Sequence, residues 1–284
     1  MANLLNGGFS SRFAKSYGKL LHDLLVTRES PQEAVDPAGP FECTKVSMWT
    51  GDAPLNKVMA DLVTDLSDAM DAKKKAVDKC MDEQGWKGAQ ARIEFDLKNF
   101  APTVVTDLPL PVSTGNKPML VTCRRNSLRR GPAAIPFAGA ATLLTCLESS
   151  MFFLVIDVEA TLKEGVVLAD LDGFLDTPTG EKMLMGPSAK IFEVKAGTTL
   201  YVPFGFVAEP VFLCTAAKND KDAKQWDHFL SVNLLSVDFA KKCPSRVFQA
   251  VNVSIREHLS WQRGCMWADR ESAWKAFSDS VGTP

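Results

Sequence analysis

Apolar positions along the 284-residue chain follow helical spacing at both ends and strand-like spacing between them. Phe13, Tyr17, Leu20, Leu21, Leu24 and Leu25 predict a first helix running to about Thr27, with Ser10 or Ser11 able to cap it. Three prolines between Ser30 and Pro40 mark a connector. A longer helix is predicted after Asp52, with Pro54 in its first turn, where a missing N–H costs nothing. Leu55, Met59, Leu62, Leu66, Ala69, Lys73, Ala76 and Cys80 alternate at spacings of four and three, which is an a/d seam. Lys73 and the small residues weaken the seam's last two turns. It reads first as a helix packed on its own domain, with a coiled-coil dimer as the alternative. Gly85 and Gly88 predict its end.

From Ile93 the character changes. Prolines at 102, 109, 111 and 118 interrupt helices, and later segments are rich in Val, Phe, Leu and Thr. Strands are predicted at Met119–Cys123, Ala141–Leu147, Met151–Ala160, Val166–Leu171, Lys190–Val194, Thr199–Val202, Val211–Thr215 and Phe229–Leu235. No long helical pattern separates them, which disfavours a parallel α/β sheet and favours a barrel or sandwich. After Pro244 the helical period returns with Val247, Val251, Ile255 and Leu259, and Trp274 and Phe277 mark a last short helix. The expected class is α+β: a helical N-terminal region over 1–92, a central antiparallel β-barrel or jelly roll over 93–243, and a helical tail over 244–284 packed on the barrel.

A hydrophobic fraction of 46% and a charged fraction of 23% are those of an ordinary globular protein. A net charge of −2 gives no global reason to expect nucleic acid or an acidic membrane as partner. No run approaches the ~18 apolar residues of a membrane span. The seven cysteines (43, 80, 123, 146, 214, 243 and 265) are odd in number and widely spaced, which predicts free thiols in a reducing compartment, cytoplasmic or nuclear. The N-terminus lacks the features of a secretory signal. Arg12, Lys15 and Lys19, with no acid before Asp23, are compatible with an organelle transit peptide or with a basic amphipathic helix.

The segment Gly197-Thr-Thr-Leu-Tyr-Val-Pro203-Phe-Gly205-Phe-Val-Ala208 carries the spacing G-x5-P-x-G, with alanine at the position three beyond the second glycine. Glycine permits the sharp backbone turns that such a short strand needs at its ends. Proline suits the strand's exit, where its missing N–H is not required. With the preceding Phe192-Glu-Val-Lys-Ala and the later Phe229-Leu-Ser-Val-Asn-Leu-Leu, the stretch resembles the late barrel strands of the cupin superfamily, especially the JmjC and related hydroxylase branch. The resemblance covers about residues 185–237 and implies a double-stranded β-helix. In that family the position of Ala208 holds the last metal-binding histidine, and an earlier H-x-H or H-x-D/E motif supplies the first ligands. Neither is present. The three histidines are His22, His228 and His258. A non-haem iron site needs two histidines and a carboxylate converging with open positions. Glu209, one residue on, is aimed by strand alternation to the other face. The expectation is therefore no metal and no cofactor.

Other constellations are weaker. Asp170 to Glu181 is acidic, but glycine falls at position 4 and phenylalanine at 5 of a calcium-type loop, so it reads as a polar loop. Arg124, Arg125, Arg129 and Arg130 form a candidate phosphate or anion contact, because guanidinium forks match that geometry. They lack the aromatic interleaving of a base-stacking surface, which argues against nucleic acid. Tyr201, Phe204, Phe206 and Trp226 are candidate ligand-binding aromatics at a barrel mouth, with core packing as the plain alternative. No nucleophile elbow, dinucleotide fingerprint or P-loop occurs. The sequence thus points to a non-catalytic cupin-like module that binds a protein partner or its own copies. A divergent Fe(II)-dependent oxygenase and a jelly-roll shell protein are the alternatives.

Overall fold

The structure, a computed structural model, describes residues 42–84, 92–96, 118–124, 139–165, 188–211, 226–261 and 268–282. The predicted first helix, the connector, the strand Val166–Leu171, the acidic loop and most of Val211–Thr215 lie outside these residues. The described elements are β1 (Ser47–Trp49), α1 (Pro54–Asp65), α2 (Ser67–Gln84), β2 (Arg92–Asp96), β3 (Met119–Arg124), β4 (Ala141–Cys146), β5 (Met151–Asp157), α3 (Val158–Lys163), β6 (Ala189–Val194), β7 (Thr199–Val202), β8 (Phe206–Val211), β9 (Trp226–Leu234), α4 (Val237–Lys242), α5 (Ser245–Trp261) and α6 (Ala268–Val281).

The strands form two sheets, one of six in the order β1-β7-β4-β9-β3-β2 and one of three in the order β6-β5-β8. Every described pairing is antiparallel. No ladder joins the two sheets among the described residues, so of the expected antiparallel β-barrel or jelly roll no closed barrel is found there. The three-residue β1 was not anticipated. It pairs Ser47 with Tyr201, so the N-terminal region supplies an edge strand as well as helices.

Strand alternation divides the apolar side chains among three cores. Val121, Leu144, Cys146, Leu200, Val202 and Phe229 of the larger sheet meet Met151, Phe153, Val155, Phe192 and Val194 of the smaller one. Phe153 sits edge-on to Phe229 at 5.3 Å between ring centroids. The opposite face of the larger sheet, with Leu143, Tyr201, Leu230 and Val232, is covered by Leu55, Met59, Leu62, Leu66 and Met70. The opposite face of the smaller sheet, with Leu154, Ile156 and Ile191, is covered by α4, α5 and α6 through Ala240, Val247, Val251, Ile255 and Phe277. Covering both faces explains why β4 is buried at all six positions and reads as an apolar run rather than an alternation.

The seam on α1 and α2 packs on its own sheet, and its register differs from the expected one. Buried positions run 55, 59, 62, 66 and 70, while Ala69 is exposed. A strict heptad requires supercoiling about a partner helix. Against a sheet the helix keeps its own period of about 3.6, so the buried stripe moves from Ala69 to Met70. Asn56 locks α1 in place: its Nδ2 donates to Gly51 O at 2.9 Å, and its Oδ1 accepts from Thr199 Oγ1 at 2.9 Å.

The predicted strand Met151–Ala160 stops at Asp157, because that side chain accepts from Glu159 N at 2.8 Å and Ala160 N at 3.3 Å and so caps α3. Within α3, Glu159 accepts from Lys163 Nζ at 2.8 Å and from Arg246 Nη2 at 2.6 Å, tying α3 to α5. The hydrogen bonds from Lys163 and Arg246 hold the Glu159 carboxyl below the usual carboxylate range.

Two outcomes are expected. Leu62, 1% exposed, should cost about 2–5 kcal/mol on replacement by Ala in chemical denaturation, whereas Asp61→Ala should stay within about 0.5 kcal/mol. A folded-state pKa below the unfolded one means that Glu159 adds stability above the ordinary carboxylate range and loses it as pH falls through the lowered value. Glu159→Gln should therefore lower stability slightly at neutral pH, leave the most acidic region little changed, and so flatten part of the acid limb of a stability–pH curve.

Candidate functional site

The segment Gly197–Ala208 carries the chain between sheets twice, and both crossings depend on glycine. Gly197 has φ 72° in a turn closed by Thr198 N to Lys195 O at 3.0 Å. Gly205 has φ 84° in a turn closed by Phe206 N to Pro203 O at 3.3 Å. In both, glycine stands at the third turn position with positive φ, as a type II turn requires. The first turn delivers β7 from the smaller sheet to the larger, and the second delivers β8 back. A Cβ on Gly205 would meet Val247 Cγ1 at 3.0 Å and Cys243 Sγ at 3.1 Å, while one on Gly197 would meet nothing within 4 Å.

Ala208 lies on β8 opposite Val155 and packs at the margin of the inter-sheet core. The next position, Glu209, pairs with Leu154, which belongs to the outer core under the C-terminal helices. Ala208 packs against the inter-sheet cluster that includes Phe153, Val155, Phe192 and Phe229, each at most 3% exposed, and Thr142, Ser231 and Asn233 share the inter-sheet face of the larger sheet.

Tyr201, Phe204 and Phe206 are not gathered at one mouth. Tyr201 is fully buried on the outer face of the larger sheet, where its hydroxyl donates to Cys43 O at 2.8 Å. Burial, with Cys43 adding, pushes its phenol far above the ordinary value. Phe204 stacks on Phe248 of α5 at 6.0 Å between centroids. Phe206 is half-buried at the edge of the inter-sheet core, and Trp226 opens β9 opposite Arg124. Arg124 closes β3; Arg125, Arg129 and Arg130 lie outside the described residues.

Polar groups that sequence reasoning passed over sit along β9. Asp227 and His228 are adjacent and buried, and alternation sends them to opposite faces. Asp227 accepts from Ser149 Oγ at 2.6 Å, and His228 Nδ1 lies 3.1 Å from Thr122 Oγ1, its cross-strand neighbour. Serine, aspartate and histidine are therefore near in space without the relay geometry of a nucleophilic triad, which needs the base to touch both partners. The signal for the His228 pairing was present in the sequence only as a buried polar residue in an apolar strand. His258 falls on α5, and His22 lies outside the described residues. Among the described residues, no three of His, Cys, Asp and Glu come together to hold a metal ion.

The buried thiols are chemically quiet. Burial pushes Cys146 up to about 12, partly offset by a backbone hydrogen bond from Met151 and reinforced by the charge of Asp227. Burial, with Glu159 and Asp157 adding, pushes Cys243 up to about 12 as well. Cys43, Cys146 and Cys243 are free and buried. No described helix is long and apolar enough to cross a membrane.

No protein-family model matches the chain, and no curated protein matches it. Solved structures with partial likeness include an oxalate decarboxylase studied for its substrate binding mode and a reaction-specificity switch, at 13% identity and a TM-score of 0.27. That match covers 68% of this chain and 37% of the other. An Arg-to-Ala variant of Bacillus subtilis oxalate decarboxylase is similar at 14% identity and a TM-score of 0.27, over 59% of this chain and 34% of that one. This chain thus spans little more than a third of either.

Two measurements test the site as described. Gly197→Ala should cost about 1–2 kcal/mol, the usual penalty of positive φ for a side chain; Gly205→Ala should cost more, because Val247 and Cys243 must also shift. With thiols raised to about 12, Cys146 and Cys243 should resist iodoacetamide at pH 8 in the native protein and react after denaturation. Native labelling of Cys146 would show by peptide mass spectrometry that the inter-sheet space is open.

Proposed function

We propose that this chain is a cupin-like jelly-roll module without metal chemistry, which works by binding a protein partner or further copies of itself. The strand order supports the architecture. β3 and β4 flank β9 in one sheet with β7 beyond β4, while β8, β5 and β6 form the other. The chain changes sheet between β4 and β5, β6 and β7, β7 and β8, and β8 and β9, a crossing pattern that suits two interleaved Greek keys.

One observation carries the non-catalytic reading. The position at which a cupin-type site would present its last histidine is Ala208, and the space it borders is filled by phenylalanine and aliphatic side chains. A metal needs converging ligands and an open coordination position. An imidazole placed there would adjoin a cluster that includes Phe153, Val155, Phe192 and Phe229. His228 does not compensate, since its ring lies on the outer face of the larger sheet beside Thr122. With the interior occupied, contacts fall to outer surfaces and to the sandwich margin at Phe206.

Metal analysis after anaerobic loading with Fe(II) and desalting tests this reading. Well below one iron per chain is expected, with an unchanged circular dichroism spectrum. One iron per chain, lost in a folded His228→Ala variant, would overturn the proposal in favour of a divergent oxygenase.

A further inference from the structure

We draw no further inference here: the strongest candidate, the exposed face of α1 and α2 bearing Asp61, Asp65 and Asp68, is an acidic helix surface alone, and nothing in the structure shows what covers it.

Discussion

Both sheets carry rows of apolar side chains on both faces, and hiding those rows from water is the constraint that orders the rest of the molecule. Two sheets packed on each other hide one face of each. The outer faces then need helices, and the chain provides α1 and α2 for the larger sheet and the C-terminal group for the smaller. Each fully buried Leu or Phe contributes about 1.5–3 kcal/mol by leaving water. The helices are therefore integral to the sandwich, because removing either layer would expose a row of residues such as Leu143, Leu230 and Val232 or Leu154, Ile156 and Ile191.

Polar side chains inside this frame are spent on holding layers together. Asn56 and Thr199 join α1 to β7, and Thr199 also meets Thr145 Oγ1 at 2.9 Å, which ties in β4. Tyr201 fixes the chain just before β1 through Cys43 O. Trp274 Nε1 donates to Asn252 Oδ1 at 3.0 Å, linking α6 to α5. Each bond matters chiefly because its absence would leave a buried group unpaired, at about 1–3 kcal/mol.

The described inter-sheet positions carry Phe153, Phe192, Phe229 and Val155, with Thr142 donating to Asn233 Oδ1 on the same face of the larger sheet. The two backbone turns of the Gly197–Ala208 segment rest on positive φ at Gly197 and Gly205, a demand of the crossings themselves. Along β9, Asp227 accepts from Ser149 Oγ on one face, and His228 Nδ1 lies beside Thr122 Oγ1 on the other.

Much of the element pattern was legible in the chain, since period and turn residues are local properties. Met119–Arg124, Ala141–Cys146 and Ala189–Val194 match the expected strands to within one residue at each end, and Thr199–Val202 matches fully. β1 escaped notice because three residues are too few to show a period, and it exists as a strand through its pairing with β7. Asp157 looked like part of a strand because a helix cap is recognisable only once the next turn is seen to form. The candidate site was legible as backbone, through two glycines and a proline, and illegible as chemistry. Tyr201, Phe204 and Phe206 lie within six residues of one another, yet crossing from one sheet to the other sends them to three different cores. The sequence alone thus marked several of the strands and the turns at Gly197 and Gly205, but not β1, β2 or β8. Only the tertiary structure decided which face each side chain occupies, because burial depends on what lies across the sheet, and that neighbour is distant in the chain.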